Sequence, residues 1–309
     1  MARDGRLIFR SADKAKQAIM ASNQREIAKL YSDWAKEIGD KALYYSMKTN
    51  KSAWLQQMNM VQLKRQLTAT SRQVSNEIHG LAKHSIYLTA DAVVQANNKW
   101  LIGLGFPQDG VQAAFVHVPD EIVRRLMNGQ IYEDGWNLSK AIWTNNEKTL
   151  KEIYGIVAKG RAMNMSVYEI SKLLESYVSP GRRKLWNLTM KDGTKIYKKA
   201  VDYSAQRLVR TLTQHAYQQS FIATTEKNPF ITDYIWHANG SRACPLCIDR
   251  DGQHYPKDEL PMDHPNGMCT MEPNVDMNKT IDQLADWVNS PDGTFPEIDV
   301  FARELGYYN

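Results

Sequence analysis

The three cysteines of this 309-residue chain lie close together near its C-terminal end. Cys244, Cys247 and Cys269 fall within 26 residues, and His264 stands between the last two. The two-residue gap lets the thiolates of Cys244 and Cys247 reach one ion, and a second arm supplies His264 and Cys269. Three cysteines and a histidine form a complete tetrahedral set for Zn²⁺, which in structural sites is closed by four protein ligands. The motif therefore predicts a structural zinc site with no open position for an activated water.

Two alternatives to this interpretation concern the same region. A Cys-x-x-Cys pair can be a redox dithiol, but that motif normally opens a helix in a β-α-β context, and here the surrounding sequence is loop-rich. His254 and His237 are also near enough in sequence to supply the nitrogen ligand. His254 lies between the two arms, where the chain must still turn back. His264, five residues before Cys269, is the better candidate.

Composition indicates an ordinary globular protein of one large or two modest domains, since 43% of the residues are hydrophobic. The first ten residues lack the apolar run of a signal peptide, and no stretch approaches the ~18 apolar residues of a membrane span. We therefore expect no membrane span and synthesis in the cytosol, where reduced thiols favour zinc over disulfides.

The net charge of +5 is unevenly distributed. Residues 274–309 carry seven acidic and two basic side chains, so the rest of the chain carries +10. The most basic segment, residues 147–210, has fourteen basic and six acidic side chains. Its run Arg182, Arg183 and Lys184 supplies the candidate contacts to non-specific DNA. A solvated, lysine-rich surface is the alternative, but such asymmetry fits contact with nucleic acid or another polyanion.

Apolar spacing predicts a mainly α fold in three parts. Residues 1–105 form a long helical hairpin whose two amphipathic helices are separated at residues 49–52, and pairing with a partner protein is the alternative to a self-contained hairpin. Residues 106–230 form a helical middle region with a basic loop and a possible β-hairpin at residues 191–193. Residues 231–309 form a small α+β zinc-stapled module and an acidic tail.

Individual boundaries follow from turn and capping signals. The first helix is expected to begin with an N-cap within residues 11–13, and irregular sequence is expected between Pro107 and a short helix at 120–128. Further helices are predicted at residues 138–158, 166–177 and 202–223. Strands are predicted at 233–238 and 268–271, on either side of the cysteines, and short tail helices at 281–288 and 300–305.

Most catalytic signatures are absent from the sequence, including a Gly-rich phosphate loop with its lysine, a Gly-x-Ser-x-Gly elbow and a His-Glu-x-x-His helix. The alternative function is a zinc-stapled His-Asn-His-like endonuclease acting on DNA, because Asp263 and His264 resemble the Asp-His pair of such enzymes. His264 cannot comfortably serve zinc and catalysis together, and the second Cys-x-x-Cys of those nucleases is missing here. The sequence therefore favours a protein that is not an enzyme.

Three elements in fixed order resemble the phage Mu F-like head morphogenesis family, the minor head (minor capsid) proteins of tailed bacteriophages. They are a helix at residues 203–211, then Trp236 and Arg242 leading into the Cys-x-x-Cys with Asp251-Gly252, and then Pro261 and His264-Pro265 with a closing cysteine. The resemblance covers about residues 138–273. The family usually closes with His-Pro-x-Cys-x-Cys, whereas Gly267 takes the first of those cysteine places here. The ligands carried over are Cys244, Cys247, His264 and Cys269.

The resemblance implies a non-catalytic virion protein with a structural Zn²⁺. Such a protein joins the procapsid through the portal protein and assists head assembly, DNA packaging or DNA ejection. The implied partners are the portal protein, a scaffolding or major capsid protein, and non-specific phage DNA. The implied location is the capsid interior, after assembly in the host cytoplasm.

Overall fold

Helices dominate the computed structural model, which describes residues 5–47, 53–132, 147–156, 169, 173, 188–189, 195–196, 201–240, 243–290 and 293–307. The helices delimited within these residues are α1 (Arg6–Met47), α2 (Ala53–Gly103), α3 (Gln108–Phe115), α4 (Val118–Met127), α5 (Val201–Thr225), α6 (Pro245–Arg250), α7 (Met277–Val288) and α8 (Pro296–Glu304). The strands are β1 (Leu188–Thr189), β2 (Lys195–Ile196), β3 (Tyr234–His237), β4 (His254–Tyr255) and β5 (Thr270–Pro273). The predicted fold class, mainly α with a small α+β part near the C-terminal end, is confirmed.

The chain divides into two compact units, each built from separate stretches of sequence. The first unit comprises Met1–Met20, Ala82–Ile131 and Arg210–Asn309, and the second comprises Ala21–Leu81 and Tyr132–Val209. These units follow spatial packing, whereas the predicted boundaries at residues 105 and 230 follow the sequence and stay predictions.

In the second unit, α1 and α2 each bury the apolar stripe that the sequence predicts. Large apolar side chains on these stripes are at most 3% exposed: Ile27, Tyr31, Trp34, Leu67, Val74 and Ile78. A polar contact joins the same two helices, since the Thr70 hydroxyl donates to Glu37 Oε1 at 3.0 Å and accepts from Lys41 Nζ at 3.1 Å. The predicted pair of long amphipathic helices is confirmed, and the break at residues 49–52 lies outside the described residues.

The start of α1 differs from the prediction. The helix begins at Arg6, and Asp13 is an interior residue whose carboxylate accepts from Gln17 Nε2 at 2.8 Å instead of capping a backbone N–H. The additional turn is held by tertiary contacts. Gly5 lies so close to the Pro273 carbonyl that a Cβ would be 2.3 Å from its oxygen, and Arg6 Nε forms an ion pair with Glu272 at 3.4 Å.

The middle region is described only in parts. Residues 147–156, 169 and 173 are helical, within the helices predicted at 138–158 and 166–177. β1 and β2 pair antiparallel, Leu188 with Ile196 and Thr189 with Lys195, as the predicted hairpin requires. Most of the basic loop, including its turn, lies outside the described residues.

The first unit is organised around α5 and a three-stranded antiparallel sheet of order β4-β3-β5. Residues 211–218 of α5 are all buried, so this part of the helix is enclosed on every side. On the central strand, Tyr234 and Trp236 are both 0% exposed. Trp236 pairs with Met271 of β5, which begins two residues later than the predicted return strand. The two tail helices are confirmed as α7 and α8.

Helix α3 replaces the irregular segment that we expected after Pro107. Val111 is fully buried, and Gly110 lies against the backbone of Leu305, where a Cβ would be 1.9 Å from the carbonyl oxygen. This close approach requires glycine, a residue that weakens the local helical signal. The helix was missed because its stabilising contact comes from the far end of the chain.

Candidate metal centre

The first arm of the site is a helix start. Cys244 is the N-cap of α6, with φ −75° and ψ 163°, Pro245 is the first helical residue and Cys247 lies in the first turn. Proline at this position has the helical φ already fixed and lacks an N–H that would have no partner. The chain reaches Cys244 from β3 through Gly240, which has φ +57°. The short helix thus brings both thiols to the same end of the first unit.

The second arm is a tight loop that leads into β5. Asn266 has φ +70°, a conformation that asparagine tolerates better than most residues, and the Gly267 N–H donates to the His264 carbonyl at 2.8 Å. Cys269 directly precedes β5, so the central pairing of β3 with β5 places the second arm beside the first.

The structure brings the four predicted ligands together. His264 Nε2 lies 3.3 Å from Cys244 Sγ and 3.1 Å from Cys247 Sγ. Cys247 also belongs to a second group, with Cys269 and Asp263, whose ligand atoms lie within 4.8 Å of one another. Cys247 and Cys269 are each 2% exposed. Cys247 therefore belongs to both groups, which join the two arms into one candidate metal site.

The donor set and its spacing fit a tetrahedral ion. Zn–S bonds of about 2.3 Å and Zn–N bonds of about 2.0–2.1 Å place a sulfur and a nitrogen of the same ion about 3.6 Å apart. The two observed sulfur–nitrogen distances, 3.3 and 3.1 Å, are slightly shorter. His264 Nδ1 lies 3.1 Å from the Pro265 carbonyl oxygen, which can only accept, so Nδ1 donates and Nε2 keeps its lone pair for a metal.

The other histidines weighed as ligands have different partners. His254 Nδ1 lies 2.7 Å from Asp233 Oδ1. His237 Nε2 lies 2.6 Å from Glu272 Oε2. Within the described part of the chain, only His264 groups with the cysteines.

Asp263 is a buried organiser of the second arm. Its carboxylate accepts from the His264 backbone N–H at 2.8 Å and from the Cys269 backbone N–H at 3.2 Å. A Cβ on Gly267 would lie 2.2 Å from Asp263 Oδ2. The glycine leaves room for the Asp263 carboxylate inside the loop. In the family that the sequence resembles, the expected residue at this place is cysteine.

The ionisation of the thiols depends on their burial. Burial raises the pKa of the Cys247 thiol, and the neighbouring thiols of Cys269 and Cys244 raise it further. Burial and the negative charge of Asp263 raise the pKa of Cys269. A hydrogen bond from the Cys247 backbone N–H lowers the pKa of the more exposed Cys244. Because metals bind thiolates, an ion in this site must displace protons from the two buried thiols.

Buried polar residues of α5 and α1 support the second arm. Gln214 Nε2 donates to the Cys269 carbonyl at 2.7 Å, and Lys16 Nζ donates to the same oxygen at 3.2 Å. The Asp263 backbone is held on both sides, because its N–H donates to Gln218 Oε1 at 2.9 Å and its carbonyl lies 2.9 Å from His215 Nε2. Burial lowers the pKa of His215, so its ring favours the neutral form that donates to this carbonyl.

Sequence analysis missed these supporting residues. Gln214, His215 and Gln218 interrupt the apolar pattern of α5 with polar side chains, and that excess of polar positions on a strongly predicted helix was an available signal. The sequence contains no comparable signal for Lys16, because it is one lysine among many on a long helix. Trp236 lies in the same buried cluster as Cys247 and Cys269.

Two sets of residues named in the sequence analysis lie outside the described part of the structure. One set is the candidate DNA contacts Arg182, Arg183 and Lys184. The other is Arg242, which belongs to the family resemblance. Among the helices described, none is long and apolar enough to cross a membrane.

Comparison of the chain with protein-family models, with curated proteins and with solved structures gives no match.

Proposed function

We propose that Cys244, Cys247, His264 and Cys269 bind one Zn²⁺ and that this ion has a structural role. Zinc is the ion that thiolate and imidazole donors in a tetrahedral arrangement favour. Four protein ligands close the coordination sphere, and two of the three thiols are buried. In a site of this kind the ion joins the start of α6 to the start of β5 and stabilises the module.

We propose that the protein is not an enzyme. In the endonuclease alternative, Asp263 and His264 would form a catalytic pair. Instead, His264 Nε2 is directed at two sulfurs, 3.1 and 3.3 Å away, and the Asp263 carboxylate accepts two backbone N–H groups of its own loop. Both groups are engaged in holding the site together, which favours the structural role.

The proposed biological role is that of a minor head protein of a tailed bacteriophage. One observation carries this proposal beyond the sequence motifs. The first and third elements of the resemblance are in contact: Arg210 Nη1 donates to Asn266 Oδ1 at 3.2 Å, and the Asn266 backbone N–H donates to the Thr211 hydroxyl at 2.8 Å. Their proximity gives a physical reason for the elements to occur together.

In this role the protein joins the procapsid through the portal protein, with scaffolding or major capsid protein as further contacts. It lies inside the head, where the basic part of the chain contacts phage DNA without sequence preference, and it assists assembly, packaging or ejection. Before assembly it is in the host cytoplasm. The charge asymmetry supports this arrangement, since packaged DNA attracts the basic body and repels the acidic tail.

Quantitative proteomics of purified heads tests the role. We expect the protein in heads assembled with portal and its loss from heads assembled without portal. The major capsid protein serves as the internal reference in both samples. Absence from mature virions would contradict the head-protein role, and incorporation without portal would contradict docking through the portal.

A further inference from the structure

A basic, partly apolar groove lies in the first unit between the start of α1, the end of α2 and the first residue of α7. Its volume is about 730 Å³. Leu7, Trp100 and Met277 supply apolar lining, and Arg10, Lys14 and Lys99 supply exposed cations. Leu7, one of the lining residues, is 55% exposed.

The charges of this groove are one-sided among the described residues. In that part of the chain no acidic side chain lines the groove, and none of its three cations forms an ion pair. A surface that carries both carboxylates and apolar side chains would pair with these cations and cover the apolar lining.

The outer face of α7 offers such a combination. Ile281 and Val288 are 55% and 62% exposed and lie on one side of the helix, seven residues apart. Asp282 and Asp286 are exposed on the adjoining side, and Lys279 is the single cation between them and the helix start. We call this surface the α7 ridge.

We propose that the α7 ridge of one copy of this chain docks into the basic groove of a second copy. Leu7 and Lys14 on α1 are seven residue steps apart, as are Ile281 and Val288 on α7, which is about 10 Å along each helix. Ile281 and Val288 pack on the apolar lining, and Asp282 and Asp286 face the cations. The contact joins two different surfaces, so it links copies head to tail.

This contact is small and electrostatic, so the association is weak and depends on salt. Standard stable interfaces bury about 1,200–2,000 Å² in total, more than one helix face in a groove provides. The Debye length falls from about 10 Å at 0.1 M salt to about 3 Å at 1 M, which screens the exposed charges. The proposal concerns the first unit alone and does not depend on the virion role.

Sedimentation velocity on the 309-residue chain tests the proposal with two charge-reversed variants. The groove variant is Arg10→Glu/Lys14→Glu/Lys99→Glu, and the ridge variant is Asp282→Lys/Asp286→Lys. We expect the unmodified chain to associate at 50 mM NaCl and to be monomeric at 1 M NaCl. Each variant alone should be monomeric. A mixture of the two should associate again, because the ridge of the groove variant and the groove of the ridge variant are unchanged.

A matched control carries the same charge change elsewhere. Arg25→Glu/Lys29→Glu/Lys83→Glu alters three exposed cations outside the groove and should associate like the unmodified chain. A monomeric unmodified chain at low salt, association of either variant alone, or a mixture that stays monomeric would each overturn the proposal. Loss of DNA binding by the groove variant with unchanged self-association would instead make the groove a nucleic-acid site.

Discussion

The ammonium group of Lys16 donates a hydrogen bond to the backbone carbonyl of Cys269, 3.2 Å away and 253 residues later in the chain. Lys16 is fully buried, pairs with Asp13 Oδ1 at 3.1 Å and lies 4.2 Å from the centre of the Tyr217 ring. Burial lowers its pKa, whereas Asp13 opposes that shift. The start of α1 is thereby joined to the second arm of the candidate metal site.

Lys16→Met should destabilise the protein although it keeps most of the side-chain volume. The substitution leaves Asp13 without its cation and the Cys269 carbonyl with only one of its two side-chain donors. Breaking a buried ion pair in this way costs about 3 kcal/mol. Chemical denaturation should show this loss. Lys83→Met, at an exposed site, should change stability by no more than about 0.5 kcal/mol, and equal effects of the two variants would contradict a role for Lys16.

Elemental analysis should find one Zn²⁺ per chain, and Cys247→Ser should remove it. Cys247 belongs to both groups of neighbouring ligand atoms, so its loss affects the whole ligand set. A structural zinc contributes ~10–16 kcal/mol of apparent binding free energy, which becomes folding free energy when the metal-free site is disordered. The melting temperature should therefore fall on chelation. A chain without zinc, or a melting temperature that chelation leaves unchanged, would contradict the proposed structural zinc site.

The metal-free and zinc-loaded forms should respond to pH in opposite directions. In the metal-free fold the pKa values of Cys247 and Cys269 are raised, so their contribution to stability is present below the unfolded thiol pKa of about 8.5. That contribution is lost as pH rises above this value. In the loaded form protons compete with zinc, so stability falls as pH decreases. Thermal melts of both forms between pH 6 and 10 test the expectation, and parallel curves would contradict it.

Gly267→Ala should destabilise the second arm. Its Cβ would lie 2.2 Å from the buried Asp263 carboxylate, which is held by two backbone N–H groups and has little room to move. Overpacking of this kind costs about 1–3 kcal/mol. Gly80→Ala is the matched control: apart from its own stretch of helix, no described atom lies within 4 Å of a Cβ placed there, and alanine suits the interior of α2. Denaturant titrations should separate the two variants.

DNA binding without cleavage is expected for the unmodified chain. Arg182→Glu/Arg183→Glu/Lys184→Glu should weaken binding and reduce its dependence on salt, because fewer counterions are released. Filter-binding or fluorescence assays at several salt concentrations measure this. Cleavage of DNA with Mg²⁺ or Mn²⁺ that is abolished by His264→Ala, with zinc retained, would favour the endonuclease instead.

Much of the fold was predictable because its signals are local. The apolar spacing that includes Ile27, Tyr31 and Trp34 predicted an amphipathic helix where α1 lies, and the strand predicted at residues 233–238 is the central strand β3. Local signals failed where distant residues decide the outcome. Helix α3 depends on the approach of Gly110 to Leu305, and the first turn of α1 depends on the contacts of Gly5 and Arg6 with β5.

The sequence by itself determined the four candidate ligands, because Cys-x-x-Cys spacing and a later histidine and cysteine restrict which side chains can share an ion. Only the tertiary structure decided what surrounds them. Asp263 could have been a catalytic carboxylate or a structural one, and its burial against two backbone N–H groups favours the structural role. The contact of Lys16 with Cys269 has no local signature, since a buried lysine is stabilised only by the groups that folding brings to it.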